Sequence, residues 1–132
     1  MVDSLIENYN NSENLYSDNN NNTEKKMPQN LEAEQSLLGS ILFDNNTLED
    51  LPINFDSQYF FDPLHANIYK ACLSLTDSGR LADPLTLKNY LNDTNLNKDI
   101  DIEKYLLDLR EGVLSLSKAK FYAEEIKNCY IR

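Results

Sequence analysis

A succession of helix-start signals between residues 31 and 92 constrains the fold of this chain more than any other feature. Asp62-Pro63 and Asp83-Pro84 each place a capping carboxylate before a proline at the first helical position, where the missing N–H costs no intrahelical hydrogen bond. No segment alternates apolar and polar residues over the length of a strand, and no hairpin turn joins two β-branched runs. The sequence therefore predicts an all-α fold.

Hydrophobic spacing places the helices along the chain. Asn30 is the candidate cap of a helix from about Leu31 to Phe43, in which Gly39 indicates close approach of a neighbouring helix. Asn45 or Asn46 is the candidate cap of a short helix through Asp50. Further helices are predicted after Asp56, from Pro63 to Ser78 with Gly79 as its stop, after Asp83, from Asp101 to Gly112, and from Ser117 through Arg132.

Side chains at helical spacing supply the predicted core. The second long helix would bury a stripe made of Leu64 or His65, then Ile68, Cys72 and Leu75. His65 lies at the third position of that helix and is expected to be packed or hydrogen-bonded near the helix start. The residues expected to hold the core together are Leu38, Ile41, Ile68, Leu75, Leu87 and Leu106.

The first 26 residues differ in composition from the rest of the chain. They contain eight asparagines, including the run of four at 19–22, and no sustained hydrophobic period. Such a segment buries too little apolar surface to offset its ordering entropy. We expect residues 1–26 to form a disordered tail, followed by a helical head over residues 27–113 and a last helix over residues 114–132.

The charge of the chain bears on its partners. With 12 basic and 22 acidic side chains, the formal charge is −10, which makes the chain a poor DNA binder on its own because affinity for phosphates depends on Lys and Arg. Neither a signal peptide nor a run of 18 apolar residues is present. Because of that missing apolar run, no membrane contact is expected. Cys72 and Cys129 lie far apart without a CxxC motif, so we expect reduced cysteines in the cytoplasm or an equivalent reducing compartment.

Chemistry-bearing motifs are missing from the sequence. Glycines occur only at positions 39, 79 and 112, so no P-loop is present to wrap a triphosphate. The single histidine has no partner at the spacing of a known catalytic motif, and residues 99–103 lack the turn glycine of a calcium loop. We therefore predict no catalytic residue, no cofactor-binding residue and no metal ligand in this chain, which is not expected to be an enzyme.

Taken together, these segments resemble the N-terminal domain of the bacterial replicative DNA helicase DnaB. The resemblance starts at Glu32-Ala33-Glu34-Gln35-Ser36-Leu37-Leu38-Gly39 and keeps the family's order across residues 28–132. It continues through Phe60-Phe61-Asp62-Pro63-Leu64-His65, Asp83-Pro84-Leu85-Thr86-Leu87 and Tyr122-Ala123 with Ile126. Lys118 departs from the family, which often has an asparagine cap there.

The resemblance implies a helical head joined to an antiparallel helical hairpin. In the family, hairpins pair between subunits of a hexamer and the heads form a collar, while ATP and Mg²⁺ belong to a separate motor domain. The partners implied are other helicase subunits, primase and a helicase loader, with DNA contacted only through the parent assembly. Residues 114–132 would begin the hairpin in a chain that looks like a fragment, with Tyr122, Ile126 and Tyr130 as candidate subunit contacts.

Two other functions stay open on the sequence alone. One is a small helical enzyme whose site combines His65 with scattered carboxylates, which ATPase or nuclease activity in the purified chain would favour. The other is a free-standing adaptor whose asparagine-rich tail binds the partner. Deletion of residues 1–26 would then abolish partner binding.

Overall fold

A computed structural model describes residues 30–91, 101–113 and 115–131. Its regular structure within these ranges is helical and contains no strand, so the predicted all-α class is confirmed. The α-helices are α1 (Leu31–Phe43), α2 (Pro63–Asp77), α3 (Pro84–Leu91), α4 (Ile102–Glu111) and α5 (Ala119–Tyr130). Short 3₁₀ helices span Asn45–Asp50, Ser57–Tyr59 and Leu116–Lys118. The tail predicted over residues 1–26 lies outside the described residues.

Aspartate side chains begin the helices as their positions predicted. Asp62 accepts a hydrogen bond from the backbone N–H of Leu64 at 2.8 Å, with Pro63 in the first turn. Asp83 accepts from the N–H of Thr86 at 2.9 Å, and the Thr86 hydroxyl accepts in return from the N–H of Asp83 at 3.0 Å. These reciprocal bonds satisfy backbone donors that a helix start leaves without partners.

The cap of the first 3₁₀ helix was predicted wrongly. Asp44, and neither Asn45 nor Asn46, accepts the capping hydrogen bond. The Asn45 amide instead pairs with the backbone of Ala82, donating to its carbonyl at 3.0 Å and accepting from its N–H at 2.8 Å. Asn45 thereby fastens the connection between α2 and α3 to the end of α1, because its side chain carries both a donor and an acceptor.

Helix α1 lies at the centre of the core and packs against α2, α4 and α5. Helix α3 closes the domain by packing against α2 and α4. The six residues predicted to hold the core are each at most 2% exposed, which confirms that assignment. Burial also raises the pKa of the Cys72 thiol to about 12, so this side chain stays protonated at neutral pH and packs as a small apolar group.

An aromatic cluster fixes the irregular segment that precedes α2. The ring of Phe55 meets those of Tyr59, Phe60 and Tyr69 edge-on, with centroids 5.5–5.7 Å apart. The Tyr59 ring also lies 5.0 Å from that of Tyr130 at the end of α5. Edge-to-face pairs of this kind add to the stabilisation that burial of the rings gives.

Gly39 marks the closest approach of α1 to α4. A Cβ atom at this position would collide with the backbone carbonyl oxygen of Leu109 and lie 3.0 Å from Cγ2 of Val113. The predicted close helix packing at Gly39 is therefore confirmed. Because the main obstacle is a backbone atom, the helices must separate to accept a larger residue.

We expect Gly39→Ala to lower the free energy of unfolding by about 1–3 kcal/mol, although alanine has the better helix propensity by about 1 kcal/mol. Urea unfolding followed by circular dichroism measures the change. The matched control is Ser36→Ala, three residues earlier on the same helix, which should leave the midpoint unchanged or raise it slightly. A higher midpoint for Gly39→Ala would contradict the close approach.

Candidate docking surface and buried polar cluster

A cluster of hydrogen-bonded polar side chains joins three helices inside the core. His65 is 1% exposed, and its Nδ1 lies 2.8 Å from Oε1 of Glu34, which is also 1% exposed. Its Nε2 lies 2.7 Å from the hydroxyl oxygen of Tyr105, and the imidazole and phenol rings stack with centroids 6.0 Å apart. The prediction that His65 is packed or hydrogen-bonded near the helix start is confirmed.

The Glu34 carboxylate also binds the backbone in front of α2. Its Oε2 accepts from the N–H of Phe61 at 2.7 Å, and Oε1 accepts from the N–H of Asp62 at 3.4 Å. A buried carboxylate is tolerated only where donors replace the water it has lost. Glu34 therefore connects α1 to the start of α2 through two backbone donors and one imidazole.

The hydrogen bonds of this buried polar cluster form a chain in which each side chain donates to the next, from Gln35 to Glu34. Gln35 donates through Nε2 to the Tyr105 hydroxyl at 3.2 Å. Burial raises the pKa of Tyr105 to about 12, so its hydroxyl keeps a proton that it donates to Nε2 of His65. Nδ1–H of His65 then donates to Glu34, a tautomer assigned from the network. Oε1 of Gln35 is buried without a hydrogen-bond partner in the described part of the chain.

The arrangement stabilises the fold and offers no reaction site. All four side chains are buried, so no substrate reaches them in the folded domain. Within residues 30–91, 101–113 and 115–131, no three His, Cys, Asp or Glu side chains are grouped to hold a metal ion. The sequence predicted no role for Glu34 in the core, yet its spacing from Leu37, Leu38 and Ile41 places it on the buried stripe of α1, a signal that could have revealed it.

The three candidate subunit contacts do not share one exposed face. Ile126 is 1% exposed and packs in the core, Tyr122 is half-buried, and Tyr130 is 48% exposed beside Tyr59. Ile126 is thus unavailable to a second subunit in the folded domain. A subunit contact through Tyr122 and Tyr130 stays a prediction.

The last helix packs against the core. Helix α5 buries Ala119 and Ala123 along with Ile126 and contacts α1. The boundary expected between residues 113 and 114 stays a prediction. The helix begins after a 3₁₀ turn, without a side-chain cap from Lys118, and ends at Tyr130 with Ile131 in a turn. Arg132, through which this helix was expected to run, lies outside the described residues.

A shallow groove lies between the start of α1 and the exposed side of α5. Its volume is about 190 Å³, and we call it the acidic aromatic groove. The residues that line it are Asn30, Glu32, Ala33, Phe121, Tyr122 and Glu125. This groove is the candidate docking surface, because it exposes aromatic and charged side chains together.

The fold and the closed polar cluster define a small all-α domain whose hydrogen-bonded polar side chains are buried. A family model described as the DnaB-like helicase N terminal domain matches residues 26–128. The chain belongs to this family, as its sequence resemblance predicted.

Individual relatives and a solved structure agree with this assignment. Replicative DNA helicase DnaB from Rickettsia conorii is 36% identical over 76% of this chain and 21% of the relative, and that from Mycobacterium leprae is 34% identical over 75% and 16%. The chain thus spans about a fifth of the length of the relatives it matches. The crystal structure of the N-terminal domain of DnaB helicase from Mycobacterium tuberculosis superposes with a TM-score of 0.68 and 32% identity, covering 80% of this chain and 75% of that chain.

Proposed function

We propose that this chain is the non-catalytic assembly and docking domain of a replicative DNA helicase. The observation that carries the proposal is the match of residues 26–128 to the N-terminal domain of that family, with a fold that superposes on a solved member. The closed polar cluster is consistent with the proposal, since its four side chains are buried and therefore closed to a substrate in the folded domain.

The proposed roles are subunit pairing, formation of a collar and contact with primase during DNA replication. ATP hydrolysis and Mg²⁺ binding would then belong to a motor domain in the rest of a parent hexamer, and a helicase loader would be a further partner. DNA would be contacted only through the parent assembly, in keeping with a formal charge of −10 on this chain. Following its bacterial relatives, the protein would work in the cytoplasm. No helix in the described ranges is long and apolar enough to cross a membrane.

We expect the purified chain to bind the C-terminal helicase-binding domain of the primase from the same genome and to leave ATP unhydrolysed. Calorimetric titration measures the binding, and phosphate release measures the hydrolysis. Phosphate release that a point mutation within this chain abolishes would identify an enzyme instead. Primase binding that is lost on removing residues 1–26 alone would identify an adaptor that works through its tail.

A further inference from the structure

The acidic aromatic groove exposes the ring of Phe121 to solvent, and a contact with Tyr122 holds this ring in position. Phe121 is 56% exposed, and its ring meets that of Tyr122 in a T-shaped contact with centroids 5.8 Å apart. Tyr122 is half-buried, so the pair projects from the body of the domain with limited freedom. A single exposed phenylalanine needs no explanation, but an aromatic face beside unpaired charge is the composition that attracts cations.

The charge of the groove is negative. Glu32 lies on one wall and Glu125 on the other, and neither forms an ion pair with another described residue. The start of α1 also lies here and contributes roughly half a positive charge, but the N–H of Ala33 is already capped by Asn30. Two full carboxylate charges therefore exceed the helix dipole, and the groove attracts a cation.

The size of the groove indicates one side chain as the occupant. Its volume of about 190 Å³ is below the roughly 300–1,000 Å³ of clefts that hold drug-sized molecules. A guanidinium group stacks on an aromatic ring and donates in a fixed fork to carboxylates, whereas an ammonium is a compact and strongly hydrated point charge. Arginine therefore matches the ring and the two carboxylates together.

We propose that the acidic aromatic groove binds an arginine side chain from an extended segment of a partner protein. The proposal rests on the docking function proposed above and gives that function a specific surface and a partner chemistry. The excess of negative charge on the whole chain speeds the encounter with a basic segment. At this acidic groove it favours such a segment over a second copy of the same chain, and it leaves subunit pairing through other surfaces open.

The test uses the full chain labelled with ¹⁵N and two blocked pentapeptides, Gly-Ser-Arg-Ser-Gly and the same peptide with citrulline, the neutral isostere of arginine. We expect the arginine peptide to shift amide signals of residues 31–33 and 121–125, and the citrulline peptide to bind several-fold more weakly. Phe121→Ala and Glu125→Gln should each weaken binding roughly two- to fivefold.

Matched controls distinguish binding at the groove from non-specific attraction to the negative charge of the chain. Phe43→Ala removes another exposed aromatic ring, and Glu124→Gln removes the neighbouring charge outside the groove, so neither should change the affinity. Equal binding of the citrulline peptide, or an equal loss with Glu124→Gln, overturns the proposal. Self-association in sedimentation that Phe121→Ala abolishes would also overturn it, since a second copy is then the occupant. Primase binding that survives both groove variants would leave the docking function intact and reject only this surface.

Discussion

Replacement of Glu34 by alanine is expected to lower the free energy of unfolding by about 3–5 kcal/mol. The substitution removes the side chain that accepts from both backbone donors before α2, at Phe61 and Asp62, and leaves Nδ1 of His65 buried without its acceptor. Each orphaned buried donor costs about 1–3 kcal/mol. Urea unfolding followed by circular dichroism at neutral pH measures the loss.

Glu32→Ala is the control for this experiment. Glu32 belongs to the same first turn of α1 and is exposed, so its removal should change the free energy of unfolding by no more than about 0.5 kcal/mol. Similar losses in the two variants would mean that the carboxylate of Glu34 acts only on the helix dipole. The buried network would then contribute nothing measurable.

We expect Leu38→Ala to cost roughly 2–5 kcal/mol, because Leu38 is fully buried on the central helix and its truncation leaves a cavity. A loss of this size approaches the whole stability of many small domains, which is about 5–15 kcal/mol. The free energy comes from thermal or urea unfolding of the purified protein.

Leu85→Ala removes the same side chain from a surface position. Leu85 is 58% exposed, so this control should shift the free energy of unfolding by about 0.5 kcal/mol or less. A wild-type midpoint for Leu38→Ala would show that the central helix does not pack as described.

The helix starts could be predicted from sequence because their causes are local. Asp62, Asp83 and Asp101 each accept from a backbone N–H two or three residues later. The residues that form each cap are therefore close together in the sequence. The buried stripes could be predicted for the same reason, since residues three or four positions apart lie on the same face of a helix. Neither inference needed knowledge of the tertiary fold.

The polar residues were harder to place because their partners are distant in sequence. Asn45 has the sequence position of a helix cap, but its side-chain amide is hydrogen-bonded to the backbone of Ala82, 37 residues away. Ile126 resembled a contact residue because an apolar stripe on a last helix has the same spacing whether it covers its own core or that of a partner. Phe121 could not be recognised as part of a surface site from the sequence, because its exposure and the approach of Glu32 become apparent only when α5 is placed beside α1.

The buried polar cluster also bears on the order in which the domain folds. Its hydrogen bonds join residues 27 to 70 positions apart, whereas the aspartate caps close within three. Long loops must be closed before the distant hydrogen bonds form. The capped helices are therefore able to form first, and the Glu34 carboxylate and the His65 imidazole come into contact late in folding. In stopped-flow experiments, loss of the Glu34 carboxylate should therefore accelerate unfolding while leaving the folding rate nearly unchanged. The same four side chains would then determine how long the folded domain persists rather than how quickly it is reached.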